Sequence, residues 1–266
     1  MNKNKKFIAI ILNRNLGTIC DELRHNLLNS GISDVIIVDS STGRELQSEF
    51  VNVSADDNES IKQGLRINRG FNIGLNYALQ HFEFEWVFCF PVDTQIVKLE
   101  LEAFELVSAK YPKIQAFPLL EQNDPYLSLM KKDLGLVWNI PEGPILLKGS
   151  FVSQFKVENK VILFDDNNFR AFLSFKELAL RVYANGGAIG LFSNFLISER
   201  EDLLLNYFEL MKTESFSDNK RLLIEEGNEW LRSKYGMSDR WSFENLIRLA
   251  YEEFLRCNPG YLELGL

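Results

Sequence analysis

Three short apolar runs most constrain what this chain can fold into. Residues 7–12, 35–38 and 86–90 contain no charged residue, are rich in β-formers and are too short to be helices. A strand with one wet face alternates apolar and polar residues, so unbroken apolar runs predict strands covered on both faces. Between the runs, helical spacing takes over. Leu23, Leu27 and Leu28 mark a helix over 21–28 that stops at Ser30-Gly31, and Ile73, Tyr77 and Leu79 mark another over 70–82. This alternation predicts an α/β fold with a mostly parallel sheet. Ligands in such sheets sit at the carboxyl ends of the strands. Those ends are 13–15, 39–42 and 91–94, and all are polar.

The rest is less regular. A helix is expected over 99–109, mixed pieces over 112–144, and strands over 145–147 and 161–164. An amphipathic helix over 172–183 is closed by Asn185-Gly186-Gly187. Helices over 202–211, 219–234 and 242–256 follow, with Trp230, Trp241 and Tyr251 expected in their packing. The chain therefore divides into an α/β domain over 1–198 and a helical C-terminal extension over 199–266 packed on it.

Composition narrows the function. In 266 residues, 29 Lys and Arg face 37 Asp and Glu, a net charge of −8 without a basic block. Nucleic-acid binding needs a concentrated positive field, so that class is excluded. Three widely spaced cysteines form neither a disulfide framework nor a zinc pattern, and two histidines leave no room for a multi-histidine metal site. A reducing cytoplasm is the default. The apolar run after the basic lead is too short for a secretory signal, and no stretch approaches the ~18–20 apolar residues of a membrane span. No Gly-x-Ser-x-Gly elbow or phosphate-binding Gly loop occurs.

Six pieces in order resemble the family 2 glycosyltransferases, which have the GT-A fold. They are IIVDSST, Asn68-Arg69-Gly70-Phe71-Asn72 with the later Asn76, WVFCFPVDT, Phe164-Asp165-Asp166-Asn167-Asn168-Phe169, LALRVYANGG and EWLRSKYG. The resemblance implies transfer of a sugar from a nucleoside-diphosphate donor to a glycan or lipid-linked acceptor, with inversion, in bacterial surface polysaccharide synthesis. It implies a cytoplasmic protein that at most touches the inner face of the membrane. Around the donor it places Asn13, Arg14, Asn15, Asp39, Asn68, Gly70, Asn72, Val92 and Asp93. Asp39 would accept a hydrogen bond from the base; the alternative is an Asp capping its own turn. Asn68 and Gly70 admit the donor to the backbone, or serve turn geometry. Arg66 or Arg69 meets phosphate, or solvent. Asp93 would face the diphosphate and ligate Mn²⁺ or Mg²⁺. Trp138 and Glu142 are the acceptor-site candidates.

Two departures matter. The family's Asp-x-Asp pair is reduced here to Pro91-Val92-Asp93, and its Glu-Asp pair falls on Ser174 and Phe175. Glu177, one turn on, is the first substitute base, followed by Asp165 and Asp166; a solvated helix carboxylate is the alternative for Glu177. A base elsewhere, a shifted alignment and lost chemistry all fit this pattern. The rival reading is accordingly an inactive GT-A-like module of a glycan-assembly complex. A nucleotidyltransferase ranks behind both, because the loop after the first strand is poor in Gly.

Overall fold

The computed structural model describes residues 5–55, 66–168, 170–200, 203 and 216–266. In chain order its elements are β1 (Lys5–Asn13), α1 (Gly17–Asn29), β2 (Asp34–Asp39), β3 (Val53–Ser54), α2 (Ile67–His81), β4 (Phe84–Pro91), β5 (Thr94–Leu99) and α3 (Leu101–Lys110). There follow β6 (Ile114–Pro118), β7 (Leu120–Glu121), α4 (Pro125–Leu129), β8 (Leu134–Leu136), β9 (Ile145–Lys148), α5 (Gly149–Val152), β10 (Lys156–Val157) and β11 (Lys160–Val161). The last are α6 (Ser174–Ala184), β12 (Ala188–Phe192), β13 (Phe195–Glu199), α7 (Phe216–Tyr235) and α8 (Arg240–Cys257). The helix expected over 202–211 lies outside the described residues apart from Leu203, as do the N-terminal lead and Phe169.

The main sheet runs β3-β2-β1-β4-β9-β6-β12-β8, with β5-β13-β7 as a smaller sheet. β3, β2, β1 and β4 are parallel, as are β6 and β12, while β9 runs antiparallel between β4 and β6 and β8 antiparallel at the edge. Every residue of β1 from Phe7 to Asn13 is buried, as expected of a central strand. Phe7 meets Phe104 of α3, whose ring also contacts Trp86, Phe117, Phe192 and Phe195 at 4.8–5.7 Å between centroids. These rings, most of them edge-to-face, form one aromatic cluster in the core.

The opposite face of β1 receives α2 at very close range. A Cβ built on Gly74 would stand 2.5 Å from Cγ2 of Ile10 and 3.1 Å from Cγ2 of Val38. Gly74 is thus the contact that seats α2 on β1 and β2.

The C-terminal helices lie against α6 and β8. Tyr251 and Phe254 of α8 contact the Tyr183 ring of α6 at 5.7 and 5.9 Å, and the Leu266 N–H donates to the Leu136 carbonyl at 3.1 Å. Trp230 and Tyr251 are buried, but Trp241 is 75% exposed, so its expected place in the packing is corrected. Phe243 and Ile247 occupy the inward side of α8 instead. The strand expected over 161–164 is also corrected. Pairing ends at Val161, and the next residues form a turn held by side chains. No helix among the described residues is long and apolar enough to cross a membrane.

Gly74→Val should destabilise the protein by about 1–3 kcal/mol, the cost of forcing extra atoms into a tight core. The midpoint of urea unfolding measures this. An unchanged midpoint would mean that α2 shifts freely on the sheet.

Candidate functional site

Strand register brings the three polar ends together. Asn13 pairs with Asp39 across β1 and β2, and Leu12 pairs with Pro91 across β1 and β4. The ends of β2 and β4 therefore flank β1 at two strand spacings, about 10 Å apart. Asn13 donates through Nδ2 to Oδ2 of Asp39 at 2.6 Å, and its Oδ1 accepts from the Leu16 N–H. Asp39 is fully buried, and its Oδ1 takes the Ser41 N–H at 2.8 Å. Arg14 donates to the Ser40 carbonyl, while Asn15, at φ 60°, accepts from the Thr42 N–H and hydroxyl. These side chains tie the end of β1 to the 39–42 loop.

Asp93 lies in the turn between β4 and β5. Its carbonyl accepts the Arg200 N–H at 3.0 Å, which brings the end of β13 to the same edge. Burial pushes its carboxyl above the ordinary range, and the neighbouring Val92 is part of the core.

The turn over 164–168 is gripped from two sides. From α2, Asn68 donates to the carbonyls of Asp165 and Asn168 at 2.9 and 2.8 Å. One helical turn on, Asn72 donates to the Phe164 carbonyl and to Oδ1 of Asp166, and accepts the Phe164 N–H. The i, i+4 spacing puts both amides on one face of α2. Gly70 is buried within the same helix.

From the far side comes α7. Nε1 of Trp230 and Nζ of Lys234 both donate to Oδ2 of Asp165, at 2.9 and 2.5 Å. Lys234 also reaches Oε1 of Glu177 at 2.6 Å, where the Tyr235 hydroxyl and Arg181 donate at 2.7 and 3.1 Å. Glu177 is 2% exposed and takes all three donors on one oxygen. It is therefore not the solvated helix carboxylate that was one reading of the sequence.

Two adjacent carboxyls are driven apart by these surroundings. Burial works to raise Asp165, but hydrogen bonds from Lys234 and Trp230 outweigh it and hold the group below the usual range. Desolvation raises Asp166, against weaker opposing effects of Asn72, Arg69 and Lys160. Burial and the Glu177 charge push the Tyr235 hydroxyl up, so it stays a donor. The two carboxyls also open on different clefts. Asp165 lines one of about 810 Å³ with Arg181, Trp230 and Lys234, and Asp166 lines one of about 490 Å³ with Arg69 and Lys160.

Trp138 and Glu142 line neither cleft. Lys176 lies over the Trp138 ring at 5.8 Å and pairs with Glu244 of α8, and Glu142 is exposed. Trp230, Lys234 and Tyr235 were not among the sequence's site candidates. Their signal was the EWLRSKYG segment, whose partners lie 58–69 residues away. Among the described residues no three His, Cys, Asp or Glu side chains form a set able to hold a metal. Asp93 contributes a single carboxyl, so the described residues by themselves make no complete set of ligands for a divalent ion.

No protein-family model matches the sequence, and no curated protein matches it significantly. Among solved structures, GalNAc-T7 with UDP, GalNAc and Mn²⁺ matches with a TM-score of 0.57 at 11% identity, over 96% of this chain and 56% of that one. Residues 1–349 of S. aureus TarS match with a TM-score of 0.45 at 14% identity, over 96% and 81%. A197 from STIV gives 0.44 at 11% identity, over 73% and 85%. The GalNAc-T7 likeness shows the architecture: a mixed α/β fold of GT-A type, with a mostly parallel central sheet flanked by helices.

Lys234→Met should cost about 1–3 kcal/mol of stability. That is less than the ~3–5 of a fully buried broken pair, because Lys234 is about a third exposed and Arg181 and Tyr235 stay on Glu177. The depressed Asp165 pKa adds a pH signature. Its contribution is full above the ordinary value of 3.8 and is lost as pH falls through the lower folded value. Urea unfolding from pH 6 to pH 3 should show this loss in the wild type and a smaller loss in Lys234→Met.

Proposed function

We propose that the chain is a family 2-type glycosyltransferase. In this reading it moves a sugar, with inversion, from a nucleoside-diphosphate donor to a glycan or lipid-linked acceptor of bacterial surface polysaccharide synthesis. It acts on the cytoplasmic side, with residues 1–198 carrying the donor site and 199–266 bracing it. The observation that carries the reading is the strand register, which sets Asp39, Asn13 and the Asp93 turn along one carboxyl edge of a GT-A-type sheet.

Asp39, fully buried, caps its own turn through the Ser41 N–H and is tied to Asn13, so its part is to fix the 39–42 loop at the nucleoside rather than to touch the base. Asn15 and Arg14 hold the 39–42 loop under the nucleoside. In this reading Asp93 faces the leaving diphosphate. A divalent ion there would rest on that carboxyl, donor phosphates and water, and no step is assigned to it.

Of the three candidate bases, Asp166 suits the task. Asp165 and Glu177 are neutralised by Lys234, and Glu177 is closed off from substrate. Asp166 is reachable, its Oδ1 is oriented by Asn72, and desolvation raises its proton affinity. It takes the proton of the acceptor hydroxyl as that oxygen attacks the anomeric carbon. The bond from that carbon to the phosphate oxygen breaks, and the nucleoside diphosphate leaves with the electron pair.

Asp166→Asn should lower kcat by about 10²–10⁴, the range of a general base, with the donor KM unchanged. A base must be deprotonated, so the wild-type rate should fall as pH drops through the raised Asp166 value, and the variant should lack that limb. Asp93→Ala should abolish turnover. Both are read as nucleoside diphosphate released from a panel of nucleotide sugars. Binding of nucleotide without release by the wild type, with any acceptor, would favour the inactive-module reading instead.

A further inference from the structure

One polar stripe of α2 starts at Asn72 and runs on past the groups used above. Asn72, Asn76, Tyr77 and Gln80 recur at helical spacing and line the cleft of about 490 Å³, with Lys160 of the β10–β11 hairpin and Asp166 also on its walls. From Asn72 to Gln80 the stripe runs about 12 Å along the helix, starting beside Asp166.

The residues along it differ in how they are spent. Asn72 is committed to the 164–168 turn. Asn76, one turn further, keeps a buried Oδ1 that makes no hydrogen bond among the described residues, an arrangement that costs free energy unless a partner arrives. Gln80 and Lys160 are exposed residues. The Tyr77 ring is steadied by His81 at 4.1 Å between centroids. A side-chain amide offers a donor and an acceptor a short distance apart, which matches neighbouring sugar hydroxyls, and an aromatic ring suits the C–H face of a pyranose. The volume lies in the ordinary range for a small-molecule site.

We infer that this groove binds the acceptor as a short oligosaccharide, its reactive hydroxyl at Asp166 and its further rings along Asn76, Tyr77 and Gln80. The assignment rests on the transferase reading for the role of the bound glycan, and on the groove's own chemistry for the glycan itself. Arg69 and Lys160, both acting on Asp166, sit at the reacting end, so the uncharged amides read the distal rings.

The test uses the full chain on an array of defined oligosaccharides, alongside thermal shift with nucleoside diphosphates. The variants are Asn76→Ala and Gln80→Trp. Gln80 is exposed, so its variant folds even if that at Asn76 does not. The wild type should retain a defined set of glycans, and each folded variant should lose at least tenfold in retention with its nucleotide shift unchanged. Retention of no glycan by the wild type, or wild-type retention by Gln80→Trp, overturns the groove. Glycan retention lost in the variants from a chain that turns over no nucleotide sugar would leave the groove standing and remove the transferase reading. Turnover with retention unaffected by the variants would do the reverse.

Discussion

The site depends on one short turn being held by charge and amide hydrogen bonds. Residues 164–168 have no regular secondary structure, and their conformation comes from Asn68 and Asn72 on one side and Trp230 and Lys234 on the other. Lys234 is the pivotal donor, because one ammonium neutralises a carboxylate of the turn and a carboxylate of α6 together. Two carboxylates this close repel, and placing a shared cation between them converts the repulsion into a tie. α7 is thereby bound into the site, even though it contributes nothing to the sheet.

The same turn shows how neighbouring groups acquire opposite characters. Asp165 and Asp166 are adjacent in sequence and identical in chemistry. One points to α7, where an ammonium and an indole N–H favour its charged form. The other points to α2, where a single amide donor does not offset desolvation. Opposed shifts of this kind separate a structural anion from a group able to accept a proton.

Much of the fold was legible in the sequence because buried strands of a covered sheet read as unbroken apolar runs. β1, β2 and β4 were expected within one or two residues of their ends, and α2 from its periodicity. The region over 112–144 was not legible. Its strands are two to five residues long, and β8 pairs antiparallel with a strand more than fifty residues later. The site was legible as residue types but not as partners. Asn68 and Asn72 were marked for the donor, yet their amides are spent on a turn 92–100 residues away, a pairing that no local pattern encodes. Glu177 was marked as the acidic residue one turn beyond the replaced Glu-Asp pair, while its charge is met by Lys234 and Tyr235 from another helix.

These threads meet in α2. Its inner face is fixed to β1 by Gly74, so the helix cannot slide without opening the core. Its first turns carry the two amides that hold the Asp166 turn, and its outer flank carries the unspent stripe beyond them. A rigid helix keeps such groups at constant spacing to within a fraction of an ångström, which a loop cannot do. Distance along α2 therefore sets how far a bound chain can extend from the carboxylate. The choice of Gly at position 74 bears on the groove for the same reason: a side chain there would push the helix outward and carry Asn72, Asn76 and Gln80 with it.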